Sequence, residues 1–389
     1  MRLLRGRQSW WCLHGSRIAK LPLDAVTTDD LGRRQVSDAV RTTMERGGFF
    51  RDRKADTYSL TVLTNTGCNL GCAYCFQNVG AADESNPRPD RIAPARLSPQ
   101  VITDTLAFTD RMMRAAGFAK LKILLFGGEP LLSSAACVEL LRRARPLGLT
   151  SAAMVSNGTL LTADLAGELV EAGLKGTQIT FDGDQDVHDR IRTTRTGKGT
   201  FQQILTNVAA VAAAVDMSWL FRVNVSHRNS DSVPTLLDRL ATHVPPAGAG
   251  VNIALIDDVG MGYDNRVRYG DDLAGRYVSW YRHALDLGFS VRPPKEAFWC
   301  DFCSLMAGRR GAVVNADGRL YSCWETAGKP DLDVGTVRSG YFADEVIEPR
   351  WHSCDYAAAP HGTQEARQRF HDTVDAALLD ELSARGALR

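Results

Sequence analysis

The sequence predicts an α/β fold, a partial (β/α)6 TIM-like barrel followed by a C-terminal appendage. Three observations point to it. From Tyr58 onward, six short apolar runs rich in β-branched or aromatic residues alternate with helical patterns. Glycines stop three of those helices. Stretches able to carry chemistry fall just after successive strands, where parallel barrels gather their sites.

Residues 1–57 carry little pattern. Arg33 to Arg46 reads as a helix ended by Gly47-Gly48. The segment reads as a packed extension, with a lid or recognition element as the alternative. Strands are expected over Ser59–Thr64, Leu121–Phe126, Ala152–Ser156, Thr177–Phe181, Trp219–Val225 and Val251–Ile256. Helices are expected over Pro99–Ala116, Ser133–Leu147, Ala163–Ala172, Phe201–Val215 and Val233–His243. Thr162 is placed as an N-cap, and Gly117, Gly148 and Gly173 as stops. Gly80 to Leu97, polar with three prolines, reads as a long surface loop. Past Ile256 the alternation ends. A helix is expected over Asp271–Leu287, and a hairpin over Ala312–Asn315 and Arg319–Cys323 around an Asp317-Gly318 turn. A terminal amphipathic helix is expected over Thr363–Gly386. The domain division is therefore 1–57, a core barrel over 58–260, and 261–389 as a second domain with its C-terminal helix.

A chain of 389 residues suits a barrel with an appendage. A net charge of +1 gives no general attraction to nucleic acid or to anionic membrane. No apolar run reaches the length of a membrane span, and Met1 to Lys20 lacks the apolar core of a signal peptide, so a cytoplasmic protein is expected. Seven of the nine cysteines form two sets: Cys68, Cys72, Cys75, and Cys300, Cys303, Cys323, Cys354. The odd count and the CxxC spacings argue for metal or cluster ligation in a reducing compartment, not for disulfides.

The stretch Thr66-Gly67-Cys68-Asn69-Leu70-Gly71-Cys72-Ala73-Tyr74-Cys75 can aim three thiolates at one place. Three thiolates can hold three irons of a [4Fe–4S] cluster and leave the fourth iron open. Structural zinc wants four ligands, and no fourth Cys or His lies nearby. Downstream come Gly127-Gly128-Glu129-Pro130, Ser156-Asn157-Gly158-Thr159 and Phe181-Asp182-Gly183. In spacing and order these resemble the radical S-adenosylmethionine (radical SAM) superfamily. Asp182 to Arg192 and Gly197-Lys198-Gly199-Thr200-Phe201 further resemble its subgroup with a C-terminal SPASM or twitch domain.

The resemblance implies a catalytic cluster on Cys68, Cys72 and Cys75, with S-adenosylmethionine cleaved by one electron to methionine and a 5′-deoxyadenosyl radical. It implies a reductant such as flavodoxin or ferredoxin. It places the Gly127-Gly128-Glu129-Pro130 stretch at the methionine amino group, with Glu129 helping to hold the loop, and Ser156 and Asn157 at the ribose, where an Asn-Gly turn is the plain alternative. Arg222 would face the cofactor carboxylate or an internal salt bridge. Tyr74 would pack on the adenine or simply in the core. His188 reads as a loop or helix-start residue and receives no catalytic role.

The second cysteine set departs from the subgroup. Cys303 and Gly318 followed by Cys323 match its pattern, with Cys300 an added upstream ligand. Only Cys354 follows, and Ala357 stands where the next cysteine would be. Four cysteines ligate one [4Fe–4S] cluster, not two. One auxiliary cluster is therefore expected, with a four-cysteine zinc site as the plain alternative and Cys354 as either ligand or hydrogen donor.

By resemblance the activity is radical SAM modification of a peptide, a ribosomally made precursor, by oxidative crosslink or epimerisation. Two rivals stand beside it. One is dehydrogenation or epimerisation of a small sugar or aminocyclitol; the other is a zinc-binding module without catalysis. Sulfatase maturation fits less well, because those members place an acidic residue directly after the hairpin cysteine. Here Trp324 comes first and Glu325 second.

Overall fold

The structure is a computed structural model and describes residues 1–29, 33–51, 55–79, 90–256, 265–296, 300, 302–303, 305–352 and 364–388. Cys354, most of the expected loop after Val79, the 260/261 boundary and the first residue of the expected terminal helix lie outside those residues.

The N-terminal segment holds β1 (Arg2–Arg5), β2 (Trp10–His14) and β3 (Arg17–Leu21) as an antiparallel sheet. A ribbon of β4 (Val26–Thr28) and β5 (Arg34–Val36) and a helix α1 (Asp38–Arg46) follow. The helix expected from Arg33 starts later because Arg34–Val36 pair with Val26–Thr28, and that pairing overrides the local pattern.

Then come β6 (Thr57–Asn65), α2 (Pro99–Ala116), β7 (Lys120–Gly127), α3 (Ser134–Ala144), β8 (Leu149–Ser156), α4 (Ala163–Ala172) and β9 (Leu174–Phe181). They are followed by α5 (Gln185–Ile191), α6 (Phe201–Ala214), β10 (Ser218–Val225), α7 (Val233–His243) and β11 (Ala249–Leu255). The six strands pair in sequence order, all parallel. This is the expected partial barrel. The expected caps hold: Thr162 accepts from the Leu165 amide, and Gly117 and Gly148 take left-handed conformations at φ 72° and 79°.

The core lies between the strands and the outer helices. In β10, Trp219, Phe221, Val223 and Val225 are buried there. Arg222 and Asn224 alternate with them and so face the barrel interior.

The appendage comprises α8 (Asp271–Asp286), β12 (Ser290–Val291), β13 (Gly311–Val314), β14 (Arg319–Tyr321), β15 (Asp333–Thr336), β16 (Gly340–Tyr341), α9 (Asp344–Ile347) and α10 (Gln364–Ala384). The hairpin does not stand apart from the barrel. Its first strand pairs parallel with β6, Gly311 beside Ser59 and Val314 beside Val62. A Cβ at Gly311 would sit 2.3 Å from the Ser59 carbonyl oxygen, so only glycine permits this approach. One sheet of eleven strands results, ordered β12-β11-β10-β9-β8-β7-β6-β13-β14-β15-β16.

The N-terminal three-stranded sheet is anchored on α10. Arg2 donates to Asp372 and Asp375, the Trp11 indole donates to Asp380, and Leu4, Trp11 and Leu13 pack on Ala376 and Leu379.

Candidate active site

The cysteine loop leaves β6 at the C-terminal edge of the barrel, and its backbone is fixed from several sides. The Gly71 amide donates to Thr193 and the Arg195 amide to Asn69, tying the loop to the segment after α5. The Cys75 amide donates back to Cys72, and the Asn78 side chain donates to the carbonyls of Cys72 and Ala73. Residues 90–97 return along both limbs: Val79 donates to Asp90, Ile92 to Gln77, Thr66 to Ala95 and Leu97 to Thr64.

Gly127 and Gly128 end β7 against this loop. A Cβ on Gly128 would lie 2.2 Å from the Gly67 carbonyl oxygen, and one on Gly127 2.3 Å from that of Asn65. Gly127 also has φ 140°, a conformation that disfavours a side chain. The two backbones meet by hydrogen bonds from Gly128 to Asn65 and from Glu129 to Gly67. The glycines thus first serve protein-to-protein approach.

Glu129 is wholly buried. Its carboxylate accepts from the Leu131 amide, the Ser156 hydroxyl and the Asn157 amide, at 3.0, 2.9 and 2.7 Å. Burial raises its pKa, and those donors oppose the rise. The Ser156 hydroxyl also accepts from Gly158, which leaves one acceptor position open. Asn157 is filled on both ends. Its amide nitrogen donates to Asn69 and to the Cys68 sulfur, and its oxygen accepts twice from Thr159. Its side chain holds the cysteine loop.

Tyr74 sits at the centre of a polar group inside the barrel. Its hydroxyl donates to Asp182 at 2.5 Å and accepts from Arg192 at 2.6 Å and Asn224 at 3.2 Å. Arg222 donates to Asn224 at 2.7 Å. Among the described residues Arg222 forms no ion pair with a carboxylate, so the internal salt bridge considered for it is absent there. Burial pushes Asp182 up, opposed chiefly by Arg192. Two buried polar atoms, Asp182 Oδ1 and Arg192 Nε, have no hydrogen-bond partner among the described residues. With two cations and one carboxylate, this interior suits a polar, zwitterionic or anionic ligand.

His188 is buried and neutral: burial drops its pKa well below the usual value. Its Nδ1 accepts from the Asp182 amide, so Nε2 is assigned as donor to Thr200, whose hydroxyl donates to the Arg192 carbonyl. Asp189 accepts from the Thr200 and Phe201 amides at the start of α6. The stretch from Asp182 to Phe201 therefore places Asp182 and Arg192.

The donor set fits an iron–sulfur cluster. Burial raises the Cys68 and Cys72 thiols, Cys72 to about 12, so iron must displace their protons. Polar donors already point at the sulfurs: Leu70 and Asn157 at Cys68, Arg91 at Cys75. Among the described residues no three Cys, His, Asp or Glu side chains group closely enough to share one metal ion. A cluster does not require this, since each thiolate takes a different iron.

The sequence profile of the Radical SAM superfamily matches residues 62–240. A GTP 3′,8-cyclase of Xanthomonas campestris pv. campestris (strain 8004) is 33% identical over 308 residues, 73% of this chain and 84% of that protein. The chain belongs to the radical SAM superfamily. Members of this superfamily are iron–sulfur-dependent catalysts that use S-adenosylmethionine and a [4Fe–4S] cluster. The fold agrees with two solved radical SAM structures. One is anSMEcpe with bound AdoMet (S-adenosylmethionine) and Cp18Cys peptide, at TM-score 0.58 and 14% identity, covering 84% of this chain and 99% of that one. The other is Streptococcus suis SuiB bound to precursor peptide SuiA, at TM-score 0.52 and 14% identity, covering 84% and 75%.

In this radical SAM chain the described members of the second cysteine set, Cys300, Cys303 and Cys323, lie at least partly in the interior. Cys303 is buried in one apolar cluster with Leu63, Phe126 and Val313, half-buried Cys300 packs against that cluster, and Cys323 is buried at the end of the hairpin. Trp351 donates to the Cys303 carbonyl and the His352 amide to Ser322, next to Cys323. Arg91, Arg192 and Asn224 received no role from sequence reasoning. Asn224 lies two residues from Arg222 on one strand and so shares its face, a signal that was present. Arg91 sits in a proline-containing loop without pattern, and nothing local marks it. No helix is long and apolar enough to cross a membrane among the described residues.

Proposed function

We propose that this chain is a radical SAM enzyme acting on a peptide, with Cys68, Cys72 and Cys75 holding the catalytic cluster. Bound there, the cluster and S-adenosylmethionine would supply one-electron cleavage of the sulfonium and a radical able to take hydrogen from an unactivated carbon. Arg222, with no carboxylate partner among the described residues, would receive the cofactor carboxylate. Tyr74, Gly127, Gly128 and Glu129 would shape its seat, and Ser156 keeps one acceptor position for the ribose. Asn157 would act by fixing the loop.

The observation that carries the peptide reading is the seat of the C-terminal hairpin beside β6, the strand that leads into the first cysteine set. Strand β13 pairs with β6, and Cys303 lies in the apolar cluster that holds Phe126, with Cys300 packed against it. Cys300, Cys303, Cys323 and Cys354 would hold one auxiliary [4Fe–4S] cluster, able to accept the second electron of an oxidative crosslink. The fold likeness to two enzymes solved with peptides supports the same reading. A nucleotide substrate is the second reading, favoured by the relatives named GTP 3′,8-cyclase.

Iron and sulfide are counted in anaerobically reconstituted parent and in the Cys68/Cys72/Cys75→Ala triple variant. About eight irons in the parent and about four in the variant are expected for two [4Fe–4S] clusters. About four in the parent and none in the variant would remove the auxiliary cluster. Formation of 5′-deoxyadenosine is then measured with GTP and with a panel of synthetic peptides. Stimulation by GTP with a cyclised product would replace the peptide reading.

A further inference from the structure

The guanidinium of Arg91 lies against the cysteine loop and belongs to none of the motifs that build it. Its Nη1 donates to the Cys75 sulfur at 3.0 Å, and its Nη2 to Gln77 Oε1 at 2.5 Å and to the Thr66 carbonyl at 3.4 Å. Its Nε is buried without a hydrogen-bond partner among the described residues. No carboxylate among the described residues neutralises it. The backbone leaves the side chain little choice of place. Arg91 pairs with Asn78 as an isolated antiparallel bridge, Ile92 donates to Gln77, and the buried Ile92 side chain abuts Gly328 in the appendage. A cation that cannot lose its proton is thus held on one ligand sulfur by three fixed contacts.

We infer that Arg91 tunes the cluster carried by Cys68, Cys72 and Cys75, holding its reduction potential above the value the same three thiolates would give alone. The inference rests on the proposal that those cysteines hold the cluster. One electron enters the cluster from a soluble low-potential donor, no bond breaks, and the site gains one negative charge. A fixed positive charge hydrogen-bonded to a ligand sulfur stabilises that reduced form more than the oxidised one. Arg91 acts through Cys75 and is a positioning and tuning residue, not a catalytic one.

The test uses full-length protein, reconstituted without oxygen, as parent, R91Q and R91K. Each is poised at a series of potentials, and the paramagnetic signal altered by added S-adenosylmethionine is followed. In R91Q, at parental iron content, the ratio of reduced to oxidised cluster at fixed potential should fall about tenfold, about 59 mV for a one-electron couple. R91K keeps the charge and should fall less. Equal potentials in parent and R91Q overturn the inference. Loss of iron in R91Q overturns it as well, since Arg91 would then hold the loop and not the potential. A parent that takes up no iron at the three cysteines overturns the underlying proposal, and the inference falls with it.

Discussion

The Tyr74 hydroxyl donates to Asp182 at 2.5 Å, and this bond joins the cysteine loop to the end of β9. The same oxygen accepts from Arg192 and Asn224. One phenol thus organises three side chains from three parts of the chain around a buried carboxylate. Tyr74→Phe leaves the ring and removes all three bonds. Because Asp182 already has one oxygen without a hydrogen-bond partner among the described residues, the loss should cost about 1.5–3 kcal/mol, as for a hydrogen bond to a charged group. S-Adenosylmethionine affinity, read by equilibrium binding to reconstituted protein, should drop while iron content stays. Unchanged affinity would remove Tyr74 from the cofactor seat.

Glu129 accepts three hydrogen bonds and donates none. In Glu129→Gln, one oxygen becomes an NH2 group facing a donor, so at least one buried bond is lost. A destabilisation of about 1–3 kcal/mol is expected, read as a lower denaturant midpoint. Released Ser156 and Asn157 would also slacken the contact from Asn157 to Asn69 on the cysteine loop. Iron retention on dilution should therefore fall with stability. A variant as stable as the parent would show that Glu129 is held by something other than these donors.

Gly128→Ala tests the close approach of β7 to the loop. The added methyl would lie 2.2 Å from the Gly67 carbonyl oxygen, backbone against backbone, so one segment must move. Loss of most cluster incorporation is expected, with the far-UV circular dichroism of the barrel kept. Gly167→Ala in α4 is the control: nothing lies within 4 Å of its Cβ, and a helical Gly→Ala change should stabilise by about 0.5–1 kcal/mol. Normal iron content in Gly128→Ala would contradict the geometry.

How much of this was legible in the sequence depended on whether the cause was local. The six barrel strands and five helices were readable because alternation, N-caps and stop glycines act within a few residues. Thr162 and Gly117 are examples. The seat of β13 beside β6 was not readable, because it is set by the fit of Gly311 against Ser59, far apart in the chain. The strand at Arg34–Val36 was missed for the same reason: its partner, not its composition, makes it a strand. In the site, the cysteines and the Gly-Gly pair carry spacing that sequence shows. Arg192 and Arg91 do not, since each acquires meaning only from what it touches. Asn157 likewise shows its hold on the cysteine loop only through its partners, since four hydrogen-bonding positions of its side chain are satisfied within the protein.

His371 on α10 gives a prediction about pH. It packs between Tyr269 and Phe370, and burial, helped by Arg367 and Arg2, lowers its pKa to about 4. The folded chain therefore keeps this imidazole neutral well below the pH at which the unfolded chain protonates it, near 6.5. Between those two values the unfolded state binds more protons, so stability falls as pH falls. The contribution is complete above the unfolded pKa and is lost as pH drops through the folded one. A difference of about 2.5 units sets its upper size at roughly 3 kcal/mol. Asp375, raised by its own burial, takes up its proton more readily in the folded chain and so acts in the opposite sense. Comparison with His371→Phe separates the two, because Asp375 is common to both proteins. Denaturant midpoints measured from about pH 7 to about pH 4.5 should fall more steeply in the parent than in the variant. Because Arg2 reaches Asp372 and Asp375 on the same helix, acid should loosen the N-terminal sheet together with α10. Parallel pH profiles in the two proteins would show that His371 is free to protonate in the fold.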